Sequence, residues 1–311
     1  MIQTEILHDL KYWNLFMLHL LLMSIPFFLE EKFVLLFDMS LFYQILIRKK
    51  MKKISYFKQI SLIALAFVSL SFASCKKEET TPEPAATTGT VSVSFEHKWV
   101  DLASNFTLNM EYIHPVTNDT LNFTTMKYYI SNLKLKKSDG TWWTHPESYF
   151  LVDLENQSST KLMMSNVPVG TYTELSYTFG VDSTRNVSGA QSGALSIANN
   201  MFWSWNSGYI FMKAEGISNN STTGSYSFHL GGFTGVNNVV SSRNDVFNIQ
   251  STDLIVSSGH QSEIGLLVFP DKLFSTAGSV NVTNTIHMPG AMAKTMANDF
   301  FNGIVFEHVH N

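Results

Sequence analysis

Residues 91–97 read "VSVSFEH", and this stretch decides the fold class. Val91, Val93 and Phe95 alternate with Ser92, Ser94 and Glu96. That period of two turns one face of a strand to a core and the other to water. The runs "FTLNMEYI", "KYYISNLKLKK", "YFLVDLE", "ELSYTFGVD", "GYIFMKAEG", "GSYSFHLGGF", "DVFNIQ" and "EIGLLVFP" continue the pattern. Turn signals such as Ser138-Asp139-Gly140 and Pro168-Val169-Gly170 punctuate it. Many short strands at this spacing predict an all-β fold, a β-sandwich of antiparallel strands. Two stretches have a helical pattern. "SGALSIANNMFW" is a loose one. In "PGAMAKTMANDFF", Pro289 opens the segment and Met292, Met296 and Phe300 fall at four-residue steps. The prediction is therefore one domain over 91–311 with one or two short helices, one of them near the C-terminus.

The whole chain has 311 residues, with 21 basic and 25 acidic side chains, a formal net charge of −4 and a single cysteine. One cysteine excludes an internal disulfide framework, a Cys-rich zinc site and an iron–sulfur cluster held by this chain alone. A mildly acidic chain lacks the basic face that nucleic acid requires, so no nucleic-acid partner is expected. Charged residues make up only 15%, against about 25% in an ordinary soluble domain.

Much of that apolar excess lies at the N-terminus. Residues 1–50 are rich in Leu and Phe but are interrupted by Pro26, Glu30 and Glu31, short of the ~20 apolar residues a spanning helix needs. From Met51 a different pattern begins. Lys52, Lys53 and Lys58 precede an apolar run from Ile60 to Phe72, and Ala73 and Ser74 precede Cys75. This reads as a lipoprotein signal peptide over 51–74, with the Cys75 thiol as the site of lipidation and membrane anchoring. Two or more acyl chains give the stable attachment that one does not. Translation from Met51 would make 1–50 a gene-model extension; an extra membrane segment is the alternative. Residues 75–90, "CKKEETTPEPAATTGT", hold no large apolar side chain and read as a flexible tether.

Within 91–311 there is no phosphate-binding glycine loop, nucleophile elbow or paired carboxylate motif, so no enzyme activity is expected. Eight of the ten histidines lie in the domain. His97 shares the apolar parity of Val91, Val93 and Phe95, where a hydrogen-bonded core histidine is the commoner outcome. Trp203 and Trp205 sit two apart in "MFWSWNSGYIFMKAEG", an aromatic core plug on physics alone. Asp182 and Asn186 in "GVDSTRNVSG" carry oxygen donors for Ca²⁺, with an Asx turn as the simpler role.

The run "FEHKW", then "MKYYISNLKL", "YFLVDLE", "VPVGTYTELSYTFGVDSTRNVSGAQSGAL", "MFWSWNSGYIFMKAEG" and "YSFHLGGF", resembles the methanobactin-associated copper-protein family, the MbnP-like domain. The resemblance is specific over about 91–250. It implies a secreted or surface copper protein whose mononuclear site is built from histidines plus kynurenine, an oxidised tryptophan. A dihaem enzyme related to cytochrome c peroxidases is the implied maturation partner. By position in the matching blocks, His97 and His229 are the implied ligands. Trp203, Trp205 and Trp99 are the candidates for oxidation. His287, Met288, His308 and His310 form a candidate second copper site, since His and Met together suit Cu(I).

The expected function is thus a lipid-anchored copper-binding protein of the outer membrane, facing periplasm or cell surface, in copper acquisition, storage or homeostasis. The alternative is a metal-free adhesion or carbohydrate-binding sandwich, with Trp142 and Trp143 of "GTWWTH" stacking on sugar rings.

Overall fold

The computed structural model describes residues 87–189, 191–203, 208–249 and 251–311. The predicted signal peptide, Cys75 and most of the tether lie outside the described residues. The first seven strands are β1 (Thr88–His97), β2 (Glu111–Ile113), β3 (Thr120–Lys137), β4 (Trp142–Thr144), β5 (Tyr149–Asp153), β6 (Lys161–Pro168) and β7 (Gly170–Phe179). A one-turn helix α1 (Ser183–Asn186) follows, then β8 (Phe202–Trp203), β9 (Gly208–Tyr209), β10 (Met212–Ile217), β11 (Ser225–Leu230), β12 (Ser241–Val246), β13 (Leu254–Val256), β14 (Gln261–Val268) and β15 (Thr285–Ile286). Helix α2 (Ala291–Asn302) and β16 (Ile304–His310) complete the order.

The strands form two main sheets. The smaller runs β16-β14-β1-β6. The larger runs β12-β7-β3-β10-β11-β15, with β13 added on β7 and β2, β4 and β5 on β3. At 18 residues, β3 is the spine of the larger sheet. It stays paired along its length because its register shifts at bulges near Ser131 and Lys136 and opposite Glu215, which bend the strand and increase its twist. The sandwich is not purely antiparallel. β1 pairs in parallel with β14, and β11 with β15. Alternation in one strand carries no information on the direction of its neighbour, so the sequence pattern did not report this.

The inward residues match the alternation read in the sequence. Val91, Val93 and Phe95 of β1 and Met126, Tyr128 and Ile130 of β3 are buried. Across the two sheets Phe95 meets Tyr128 edge-on at 6.1 Å. Helix α2 packs its Met296, Ala297, Phe300 and Phe301 face into the same core. Phe300 lies 5.2 Å from the Tyr128 ring and 5.9 Å from that of Phe179. The other loosely helical stretch becomes two short 3₁₀ turns, Gly193–Leu195 and Ile197–Asn199, followed by β8. Of "FTLNMEYI", only Glu111–Ile113 pairs as a strand. Phe106 instead turns into an aromatic cluster with Trp99, Tyr112 and Phe123.

Candidate metal centre

The outward face of the larger sheet carries a compact polar group at its β10–β11–β15 edge. Alternation sends Met212, Ala214, Tyr226, Phe228 and Leu230 inward, and so sends Lys213, Glu215, Ser227 and His229 outward. Register places Lys213 opposite His229 and Glu215 opposite Ser227. The parallel pairing of Phe228 with Ile286 then sets His287 beside His229. The two imidazoles stack, with ring centres 4.3 Å apart and planes inclined by 24°.

Each ring is held from below. His229 Nε2 donates to Glu215 Oε1 at 2.6 Å, and His287 Nε2 lies 2.8 Å from Ser227 Oγ. Burial pushes the His229 pKa below its ordinary value, against the hydrogen bond to Glu215 that pulls it up. The ring is therefore neutral at pH 7. A neutral ring donating from Nε2 keeps its lone pair on Nδ1, the atom that can ligate a metal. Burial raises the Glu215 pKa, but the His229 hydrogen bond and the Lys213 charge outweigh it and hold the carboxylate below its usual range. A carboxylate behind a ligating imidazole fixes its tautomer and orientation.

Trp203 is buried. Its ring atoms Cη2 and Cζ3 pack on Gly231, where a Cβ would sit 2.8 Å from both. Gly231 is two residues beyond His229, and only a glycine admits the indole there. A second link comes from Lys213, whose Nζ donates to the Asn200 carbonyl at 2.6 Å. That bond ties the segment leading into Trp203 to the strand opposite His229. Trp205 lies outside the described residues.

The structure does not bring His97 and His229 together. His97 points into the core from β1, and its Nε2 lies 3.1 Å from the Tyr128 hydroxyl. Tyr128 pairs with Met212 on the inner face of the larger sheet, whereas His229 lies on the outer face. Burial drives the His97 pKa down to about 3, opposed by a backbone hydrogen bond with Phe95. Trp99 stacks in the Phe106 and Tyr112 cluster, and its Nε1 donates to the Ile113 carbonyl at 3.2 Å. His287 and Met288 are likewise separated from His308 and His310, which lie on β16 of the other sheet. Among the described residues, no group of three or more His, Cys, Asp or Glu side chains is arranged to hold a metal ion.

The Asp182 and Asn186 oxygens are occupied by protein donors. Asp182 accepts from Tyr149 and Asn132 side chains and from the Arg185 backbone. Asn186 Oδ1 accepts from the Tyr209 N–H. The loop is an Asx-capped turn, and its donor set does not fit calcium. Trp142 and Trp143 are consecutive on β4, with Trp142 exposed and Trp143 half-buried. Neighbouring strand residues face opposite ways, so the two do not form one sugar-stacking platform.

Glu215, Ser227 and Lys213 complete the site and were not singled out by sequence. Their alternation in "MKAEG" and "SYSFHL" marked them as outward-facing, but only register puts them beside His229. The class defined here is a two-sheet β-sandwich with a paired-imidazole site on one outer face. Residues 88–293 match the MbnP family model, and the chain belongs to that family. Among solved structures, MbnP from Methylosinus trichosporium is similar at 14% identity, covering 66% of this chain and 83% of that one, with a TM-score of 0.41. No curated protein matches the chain.

Proposed function

We propose that this protein binds copper on the outer face of the larger sheet, with His229 and His287 as ligands, in copper acquisition, storage or homeostasis. The observation that carries the reading is the stacked His229–His287 pair, with Trp203 packed on Gly231 two residues beyond His229. Membership of the MbnP family, associated with methanobactin and copper, supports it. Imidazole nitrogen suits Cu(I) and Cu(II) alike. A site with two imidazoles takes its further donor from a neighbour, and in this reading Trp203, oxidised to kynurenine, would supply it. An intact indole nitrogen is a poor ligand because its lone pair belongs to the ring; ring opening exposes an aryl amine. Copper is cargo in this reading, and the protein is not an enzyme. A dihaem oxidase of the cytochrome c peroxidase type would carry out the maturation. The Cys75 thiol would anchor the chain in the bacterial outer membrane, with the domain facing periplasm or cell surface.

The test is anaerobic Cu(I) titration of the full chain against a competing chelator, with His229→Ala and His287→Ala variants. Each is expected to weaken binding by at least about tenfold; unchanged affinity in both overturns the site. Peptide mapping of native protein reads the modification directly, as a tryptophan that has gained two oxygens and lost one CO.

A further inference from the structure

The outer face of the smaller sheet carries a second pair of imidazoles. His308 and His310 are two apart on β16 and therefore project from one face. Their ring centres lie 5.1 Å apart with the planes at 87°. Two imidazoles sharing one ion at metal–nitrogen distances of about 2.0–2.1 Å have ring centres about 5 Å apart when the angle at the metal is near tetrahedral.

Three features fix the arrangement. His308 lies flat on Gly265, its register partner on β14, where a Cβ would come within 2.7 Å of His308 Nδ1. His308 Nδ1 is 3.1 Å from Glu307 Oε2. Donation to that carboxylate leaves the Nε2 lone pair for a metal, the orientation that a carboxylate behind a ligating histidine imposes. His310 pairs in register with Glu263, whose carboxylate faces the same side and is held by Lys161 Nζ at 2.5 Å and Ser94 Oγ at 2.8 Å. His310 is exposed and His308 half-exposed, so an ion would reach both from solvent.

We infer that His308 and His310 form a separate, solvent-facing two-imidazole chelate for a divalent transition-metal ion of the Cu²⁺ or Zn²⁺ class, with water completing the shell. Imidazole suits these borderline cations, and Cu²⁺ binds such donors most tightly among the first-row divalent ions. This site is independent of the one at His229 and His287. The two pairs lie on the outer faces of opposite sheets, with the packed core between them. One ion cannot bridge them, and loss of one leaves the other intact.

The experiment is titration of the full, metal-stripped chain with Cu²⁺ and, separately, Zn²⁺. Stoichiometry is read by calorimetry, and the histidine ring resonances by NMR. The His308→Ala/His310→Ala double variant is expected to lose one equivalent that the His229→Ala/His287→Ala variant retains. Gly265→Ala, which lifts the His308 ring off its seat, and Glu307→Gln are each expected to weaken that equivalent by about tenfold. In the zinc titration the His308 and His310 resonances should shift together. A stoichiometry equal to that of the parent protein in the His308→Ala/His310→Ala variant, or rings that do not respond to either metal, overturns the proposal. Because each pair has its own variant, failure here is distinguishable from failure of the His229–His287 site.

Discussion

His97 shows how the same side chain reads differently once its surroundings are known. On β1 it is buried, bonded to the Tyr128 hydroxyl and neutral, with its pKa lowered to about 3. In the unfolded chain the ordinary value of about 6.5 applies. Between these values the unfolded state binds a proton that the folded state refuses. The stability that His97 supplies is therefore full above pH 6.5 and is lost progressively as pH falls towards 3. His97→Gln, which keeps a polar partner for Tyr128 but does not titrate, should flatten this part of the stability–pH curve; urea midpoints at pH 7 and pH 4 check it. Asp119 is a second decisive residue. Buried, it accepts from Ser279 Oγ at 2.7 Å, the Val280 N–H at 2.9 Å and Thr117 Oγ1 at 2.9 Å. Asp119→Ala leaves the buried Val280 N–H without its acceptor, at about 1–3 kcal/mol for each orphaned group. A urea midpoint unchanged from the parent protein would count against this reading. His97 was legible as an apolar-face histidine from parity alone. Asp119 was not, because its Ser279 partner comes from a segment 160 residues away.

At the scale of elements, helix α2 depends on one side chain from β12. The Arg243 guanidinium lies 5.4 Å from the Tyr177 ring centre and 4.9 Å from that of Phe301. It also donates to the carbonyls of Phe301, at 3.3 Å, and Ile304. Phe301 lies in the last turn of the helix and Ile304 opens β16, so Arg243 pins the end of the helix and the start of the following strand to β12. Arg243→Ala should cost about 2–3 kcal/mol from the lost cation–π contacts and hydrogen bonds. Faster amide exchange should appear first in Ala291–Asn302, and exchange that rises equally throughout the domain would refute a local role. The helix itself was readable from Pro289 and the four-residue steps of Met292, Met296 and Phe300. Its clamp was not, since nothing in "SSRNDVF" reports that Arg243 meets Phe301, 58 residues later.

For the molecule as a whole, copper binding predicts a linkage. A ligand that binds only the folded state stabilises it by about 2.7 kcal/mol at a hundred times its Kd. Adding copper to the full chain should raise its melting temperature, a chelator should reverse the rise, and the His229→Ala/His287→Ala variant should lose most of it. A melting temperature that ignores copper in the parent protein would remove the support for a copper site on the larger sheet.

Sequence alone determined the β-sandwich class, the short C-terminal helix and the family resemblance. Alternation and helical spacing are local properties, written into each strand and helix by the need to bury one face. Single histidines and tryptophans could also be marked as candidates by type and position. Which of them meet was decided only by tertiary structure. The β11–β15 parallel pairing brings His287 to His229, the fold sends His97 to the opposite side of the larger sheet, and Gly265 seats His308 beside His310. The physical reason is that register between strands is a long-range choice, set by packing and bulges across the whole molecule. A shift of one residue would turn His229 from the outer face into the core.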